Sequence, residues 1–143
     1  MNNPLKSSVI IINGGTGSFG STMVKHLLSE SVAEIRVFSR EETKQNHMRN
    51  EFVDDRIKLI IGDVRKQSGV ELAIRGADYV CHAAALKQVP SCEFFPMQAV
   101  ETNVYASANA YTSHNTRQLS VDEVVGLVKE LPEFRHYQKV YLK

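Results

Sequence analysis

The sequence predicts an α/β protein built on a Rossmann-like parallel sheet, and three observations predict that fold class. The β-branched run Val9–Ile12 breaks into spaced glycines, as a buried strand does before a nucleotide-binding turn. Short apolar runs then alternate with amphipathic stretches as far as about residue 109, which is typical of βαβ units. A chain of 143 residues with 43% hydrophobic residues is also large enough to bury one core.

Four strands are expected, because four short apolar or β-branched runs stand between polar stretches. Right-handed crossovers between them give the sheet order 3-2-1-4. Ser107–Asn115 is small and polar where a further α/β unit should begin, so the sheet is predicted to be truncated after the fourth strand. The predicted strands are Ser8–Asn13, Glu34–Phe38, Ile57–Gly62 and Tyr79–Ala83.

Helices are expected between these strands and after the last one. The second helix is rich in charged residues and should lie exposed, whereas the fourth starts at Pro96, a residue suited to a first helical turn. The predicted helices are Phe19–Glu30, Glu41–Phe52, Gly69–Arg75 and Pro96–Asn109.

Residues 1–109 are therefore predicted to form a Rossmann-type domain, and residues 110–143 a short helical C-terminal tail. In the tail, Ser120 and Glu123 form a capping box that predicts a helix over Val121–Leu131, and Pro132 starts a second, shorter one. The fourth strand would be left as an apolar sheet edge. Such an edge tends to pair with other strands, so we expect a homo-oligomer, a tail laid over the edge or poor solubility.

Composition excludes several classes of protein. The charges nearly balance, with 17 basic and 16 acidic residues, which argues against a nucleic-acid partner. The longest apolar run is too short for a membrane span or a signal peptide, so we expect a cytoplasmic protein with no membrane partner. Cys81 falls in a strand and Cys92 in a loop after Pro90, without the spacing of a metal site, which predicts two free thiols.

The glycines after the first strand predict a site for a dinucleotide pyrophosphate. Gly14, Gly17 and Gly20 have the spacing G-x-x-G-x-x-G, which lets the backbone approach phosphate oxygens at a helix N-terminus. A glycine-rich turn without a ligand is one alternative. A P-loop is another, but Ser21 stands where a P-loop needs lysine, which argues against hydrolysis of a nucleoside triphosphate.

The residues after the second strand favour NADP over NAD. Ser39 and Arg40, with Lys44 one helical turn further on, suit a ribose 2′-phosphate, whereas NAD sites place an acidic residue here. The alternative is that Arg40 and Lys44 pair with Glu41 and Glu42 on a solvated helix end.

The third and fourth strands end in further candidate residues. Asp63 can accept a hydrogen bond from the adenine amino group, although it is equally suited to a turn. The alanines Ala83–Ala85 allow a flat ligand to lie against the backbone, and Lys87 can reach ribose or phosphate. His82 points to the other side of its strand and is interpreted as a structural histidine.

Residues 4 to about 105 closely resemble the amino-terminal part of a known family. This family is that of the NADP-dependent UDP-N-acetylglucosamine 4,6-dehydratases, some of which are also 5-epimerases. It belongs to the extended short-chain dehydrogenase/reductase superfamily, and its members act in bacterial polysaccharide and capsule biosynthesis. The motifs that carry the resemblance are Gly14–Gly20, Phe38–Arg40, Ile61–Arg65, His82–Pro90 and Glu101–Tyr105.

The resemblance implies a role for each candidate residue. Thr16 to Phe19 would bind the pyrophosphate, Ser39 to Lys44 the 2′-phosphate, Asp63 and Val64 the adenine end, and Ala83 and Lys87 the inner ribose. Lys87 would also lie close to the UDP-sugar substrate. The whole predicted cofactor-binding set is Gly14, Thr16, Gly17, Ser18, Phe19, Gly20, Ser39, Arg40, Lys44, Asp63, Val64, Ala83, Ala84 and Lys87.

Catalysis is predicted to be missing from this chain. The family's reaction moves hydride from sugar C4 to NADP, removes the C5 proton, expels the C6 hydroxyl and returns hydride to C6. Its acid and base come from a Ser/Thr-Asp-Lys run and from a later tyrosine or methionine followed four residues on by lysine. Neither occurs here. Asn109 stands four residues after Tyr105, where a lysine would be needed, and Lys139 comes only two residues after Tyr137. No catalytic residue is therefore assigned.

The tail from Tyr111 to about Leu131 resembles the extreme carboxyl terminus of the same enzymes, which suggests a form with its middle deleted and its ends joined near Ser107–Ala110. The expected function is that of a nucleotide-sugar dehydratase or epimerase relative, inactive alone. One alternative is a non-catalytic NADP-binding or oligomer-assembly module that joins a full-length homologue through the sheet edge. Another is a product with no cellular role.

Overall fold

A computed structural model of the chain describes residues 3, 5–86 and 88–113. These residues form one four-stranded parallel sheet with helices on both faces, and the order of the strands across the sheet is β3-β2-β1-β4. The strands are β1 (Val9–Asn13), β2 (Glu34–Ser39), β3 (Ile57–Ile61) and β4 (Tyr79–His82). The helices are α1 (Ser18–Ser29), α2 (Glu42–Glu51), α3 (Gln67–Ile74), α4 (Val89–Phe94), α5 (Pro96–Val100) and α6 (Ala106–Thr112), with a π-helical segment over Glu101–Tyr105 between the last two.

The predicted fold class and strand order are thus confirmed, and no fifth strand follows β4 among the described residues. Each predicted strand is correct to within one residue at either end. The register places Ile12 beside Val37 on one side and Cys81 on the other. Among the described residues β4 pairs with β1 alone, so its outer edge has no partner strand there.

The core consists of two layers, one on each face of the sheet. Successive side chains of a strand point to opposite faces. Ile10 and Ile12 accordingly pack in the layer that contains residues of α1, whereas Ile11 packs with residues of α3 and with Ala106 of α6. Ile11 and Ile12 are both fully buried. An unbroken apolar run is therefore the expected sequence of this central strand.

The region after β4 differs from the prediction in two ways. The stretch placed in a loop after Pro90 is the helix α4, so Cys92 lies in a helix; the loop prediction is wrong because a proline in the first turn is compatible with a helix start. The predicted helix from Pro96 to Asn109 continues to Thr112 and contains the π-helical segment. Such segments are common at functional sites because the extra residue turns the side chains that follow.

Several predictions concern residues outside the described part of the chain. Lys87, the capping box at Ser120 and Glu123, and the tail helices at Val121–Leu131 and from Pro132 all lie there. Within the described part, no helix is both long and apolar enough to cross a membrane.

Candidate cofactor site

A cleft of about 270 Å³ lies where the four strands end. Its walls are the glycine turn after β1 and the segments that follow the other three strands, Ser39–Glu41, Gly62–Val64 and Ala83–Leu86. Parallel strands present their carboxyl ends at the same edge of a sheet, which brings residues distant in sequence into one crevice.

The glycine turn is shaped by close backbone approaches that a side chain would prevent. Gly14 has a φ of 77°, and a Cβ placed on it would lie 2.7 Å from the backbone nitrogen of Ala84. A Cβ on Gly20 would lie 2.3 Å from the carbonyl carbon of Gly15, so α1 can pack onto the turn only through a glycine. Helix α1 then begins at Ser18 with its first-turn N–H groups beside the cleft, where they and the helix dipole favour an anion.

Ser39 is held at the end of β2 by a residue that the sequence analysis did not single out. The buried Gln45 donates from Nε2 to Ser39 Oγ at 3.1 Å and to the carbonyl oxygen of Ile60 at 2.8 Å. Because the Ser39 hydroxyl already accepts this hydrogen bond, its own proton is left to donate to another acceptor.

Arg40 and Lys44 have different surroundings. Lys44 Nζ lies 2.8 Å from Glu41 Oε2, and Lys44 is not part of the cleft wall. Arg40 lines the cleft with a side chain that is 57% exposed, and its Nη1 lies 3.9 Å from Asp63 Oδ2. The alternative of an ion pair on a solvated helix end therefore describes Lys44, whereas Arg40 faces the cleft.

Asp63 is engaged mainly by Arg65. The Arg65 side chain donates to both carboxylate oxygens, with its Nη2 2.5 Å from Oδ2. This hydrogen bond holds the pKa of Asp63 below its usual range, against the opposing effect of burial. Arg65 is fixed from its other side by Gln98 Oε1 and by Glu101 Oε2, which lies 3.6 Å from its Nη1.

The wall after β4 is positioned by the π-helical segment. The Asn103 side chain pairs with the backbone of Leu86, accepting from its N–H at 2.8 Å and donating to its carbonyl oxygen at 3.0 Å. The neighbouring Thr102 lines the cleft. The sequence analysis pointed to Thr102 and Asn103 only through the motif Glu101–Tyr105. The residue types alone do not show that these two side chains lie beside the end of the fourth strand.

Behind the cleft, His82 and Cys81 are largely shielded from water. Asn13 Nδ2 lies 3.4 Å from His82 Nδ1, and the buried atoms Asn13 Oδ1 and His82 Nε2 have no hydrogen-bond partner among the described residues. Burial lowers the pKa of His82 and raises the pKa of the Cys81 thiol to about 11. In the described part of the chain no three His, Cys, Asp or Glu residues group as metal ligands.

Of the predicted cofactor-binding residues that the structure describes, all but Lys44 line this cleft, and Lys87 falls outside the described part of the chain. Their individual roles stay predictions. The lining residues that lie outside the predicted cofactor-binding set are Phe38, Glu41, Gly62, Ala85, Leu86 and Thr102.

Similarity to known proteins decides the family. Residues 10–129 match the polysaccharide biosynthesis protein family. The chain belongs to this family. Its similarity to known enzymes places it among the nucleotide-sugar epimerases and dehydratases. It is 47% identical over 108 residues to the UDP-glucose 4-epimerase of Rickettsia akari (strain Hartford). That alignment covers 73% of this chain and 32% of the Rickettsia protein. The chain thus spans about a third of the length of this curated relative.

Solved structures of this family's relatives have the same fold. The chain superposes on the X-ray structure of Pen from Bacillus thuringiensis with a TM-score of 0.76 and 37% identity, over 78% of this chain and 35% of that one. It superposes on the UDP-glucose 4-epimerase of Thermus thermophilus, solved in complex with NAD, with a TM-score of 0.62 and 26% identity, over 73% and 32% of the two chains.

Proposed function

We propose that this chain is the NADP-binding part of a nucleotide-sugar dehydratase of the UDP-N-acetylglucosamine 4,6-dehydratase type. The observation that carries the proposal is the position of Arg40, whose guanidinium lines the cleft. The nearest carboxylate among the described residues, that of Asp63, is 3.9 Å away, which leaves the guanidinium available to a phosphate. The relative from Thermus thermophilus was solved with NAD, which supports a nicotinamide dinucleotide as the ligand.

The charges around the cleft suit a 2′-phosphate near Arg40. Two carboxylates border that position, and each is already paired through a short contact, Asp63 with Arg65 and Glu41 with Lys44. Arg40 has no comparably short ion pair among the described residues. A guanidinium binds phosphate oxygens through two parallel hydrogen bonds, and the Ser39 proton supplies a further donor.

The remaining cleft residues fit the rest of a dinucleotide. The turn at Gly14 and the start of α1 at Ser18 leave room for a pyrophosphate where a Cβ would otherwise stand. Asp63, Val64, Ala83 and Ala84 all line the cleft. We assign the first two to the adenine end and the two alanines to the inner ribose. When bound, the nicotinamide would accept and return the hydride.

Proton transfer is not assigned to any described residue. A general acid and base must lie within hydrogen-bond reach of the sugar, and the sequence lacks the runs that supply them. We therefore expect the chain alone to bind NADP without turning over UDP-N-acetylglucosamine. Lys87 stays the predicted contact with the inner ribose and the substrate.

Calorimetric titration of the purified chain with NADP, and separately with NAD, tests the proposal. We expect Arg40→Ala to weaken NADP binding by about 1.5 to 3 kcal/mol, roughly 10- to 150-fold, because a hydrogen bond to a charged group is lost. NAD binding should change much less. Arg49→Ala, which removes the same charge from an exposed position of α2, is the control. Equal losses for the two nucleotides would refute the 2′-phosphate assignment.

A second function, an oligomer-assembly module, is favoured by the exposed apolar residues of α4 to α6. Phe94 is 81% exposed and Tyr111 is 72% exposed, and Met97 and Val104 are more than half exposed. Light scattering in the titration buffer separates the two functions. A chain that self-associates without binding either nucleotide supports assembly, whereas saturable NADP binding supports the cofactor domain.

A further inference from the structure

We propose that Arg65 is a positioning residue that sets the preference for NADP over NAD. It would do so by occupying Asp63, so that Arg40 stays available to the 2′-phosphate. This inference rests on the proposed function. Arg65 does not line the cofactor cleft, so it would act through Asp63 and not by touching the nucleotide.

Two arginines compete for the Asp63 carboxylate. Oδ1 accepts the Arg65 backbone N–H and its Nε, both at 3.0 Å, and Oδ2 accepts Arg65 Nη2 at 2.5 Å. Arg40 Nη1 approaches the same Oδ2 only to 3.9 Å, beyond hydrogen-bond range. Two guanidinium groups therefore face one carboxylate. Arg65 supplies the hydrogen bonds that both oxygens of this carboxylate accept, whereas Arg40 supplies none.

Without Arg65, Arg40 would be drawn to Asp63. A carboxylate that had lost its donors, at the edge of a cleft, would draw the nearest cation into a charge-assisted pair. Arg40 is 57% exposed and already within 4 Å, so it is the residue placed to move. A 2′-phosphate would then have to break that pair and approach an acidic group. NAD carries no phosphate there and would not meet this cost.

Arg65 is anchored on the side away from Asp63 as well. Its Nη1 contacts Gln98 of α5 and Glu101 of the π-helical segment. With 24% of its side chain exposed, against 57% for Arg40, it is the more buried of the two cations. Glu101 lines a second cavity beside Arg65 and not the cofactor cleft, so its charge faces Arg65 and not the proposed phosphate position.

The test is Arg65→Gln, which removes the charge but keeps a polar side chain, titrated with NADP and with NAD on the full chain. We expect the ratio of NADP affinity to NAD affinity to fall roughly tenfold, as for the loss of one charge-assisted hydrogen bond, with NAD affinity within about twofold. In the Arg40→Ala background the same substitution should leave the ratio unchanged, since Arg40 is the group through which Arg65 acts.

The chain offers a matched control at the other end of β3. Arg56 clamps Asp54 with the same Asp-x-Arg geometry, its backbone N–H 2.9 Å from Oδ1 and its Nη2 2.8 Å from Oδ2. Neither Asp54 nor Arg56 lines the cofactor cleft. Arg56→Gln removes the same kind of ion pair away from the cleft, so it should not change the ratio of NADP affinity to NAD affinity.

The outcomes separate this inference from the proposed function. If the Arg40→Ala variant loses NADP selectively but Arg65→Gln leaves the ratio as in the unmodified chain, the inference about Arg65 is overturned and the cofactor assignment stands. If the unmodified chain shows no preference for NADP, both fail. Should Arg65→Gln not fold, Asp63→Asn replaces it: removing the competing carboxylate should keep the ratio at least as high as before, and a fall would overturn the inference.

Discussion

The two ends of β3 carry the same short motif in different surroundings. Asp54 and Arg56 precede the strand, and Asp63 and Arg65 follow it. In both pairs the arginine backbone and side chain donate to the aspartate two residues earlier. In both, the arginine side chain is the main reason that the pKa of the aspartate is lowered, to about 2 for Asp54.

The pairs differ in where the arginine's remaining donors go. Arg56 donates to the carbonyl oxygens of Leu28 at 2.9 Å and Glu30 at 3.0 Å, at the C-terminal end of α1. These carbonyls have no partner within a helix, so Arg56 acts as a cap that joins α1 to β3. Among the described residues, Arg65 reaches side chains beyond Asp63, those of Gln98 and Glu101, and no backbone carbonyl of a helix end. The same local motif is thus structural at the amino end of the sheet and borders the cofactor cleft at the carboxyl end.

The largest effect that this comparison predicts is on stability. Arg56→Gln should lower the melting temperature by roughly 5 °C, because the last carbonyls of α1 lose their donor. Arg65→Gln should lower it less, since Gln98 and Glu101 can turn to water. Thermal unfolding followed by circular dichroism measures both. A larger loss for Arg65→Gln would show that the carboxyl-end pair holds the fold together and would remove the contrast.

A second, smaller effect concerns buried polar groups at the two ends. At the amino end Ser8 is buried but bonded, its hydroxyl 2.6 Å from the carbonyl oxygen of Leu5. At the carboxyl end His82 is half-buried, its buried Nε2 has no hydrogen-bond partner among the described residues, and burial lowers its pKa below the usual 6.5. The unfolded chain therefore takes up a proton more readily, so the free energy of unfolding should fall as the pH drops below about 6.5.

The slope of this pH dependence is at most about 1.4 kcal/mol per pH unit, the value for one proton. Urea unfolding between pH 7 and pH 5 measures it. His82→Gln should flatten the curve, while the same change at the exposed His47 should leave it as it is. An unaltered slope in the His82 variant would show that water reaches this end of the sheet.

A third effect, which leaves the stability of the fold unchanged, is on thiol chemistry beside His82. Because burial raises the pKa of Cys81 to about 11, its thiolate should be on the order of a hundredfold scarcer than for an ordinary thiol. In a Cys92→Ser variant, which leaves Cys81 as the single cysteine, alkylation at pH 8 should be slow in the native chain and fast in urea. Similar rates in the two conditions would contradict the shielding of the Cys81 thiol in the folded chain.

Much of the cofactor cleft could be predicted, and the misses share a cause. The glycine turn, the strand ends and Asp63 carry their signal in adjacent residues. The roles of Gln45, Thr102 and Asn103 do not, since Gln45 acts on Ser39 and Ile60, and Asn103 acts on Leu86 across 17 positions of sequence. The helix α4 was missed because a proline is compatible with both a loop and a helix start.

What the sequence by itself determined was the four strands, the helices between them, the order of the strands in the sheet and the position of the glycine turn. Each depends on local periodicity, on backbone freedom at single residues or on the handedness of crossovers. The tertiary structure decided which partner each charged side chain has. Asp54 with Arg56 and Asp63 with Arg65 are identical as local patterns. They differ because packing brings the end of α1 to one pair and Arg40, α5 and the π-helical segment to the other.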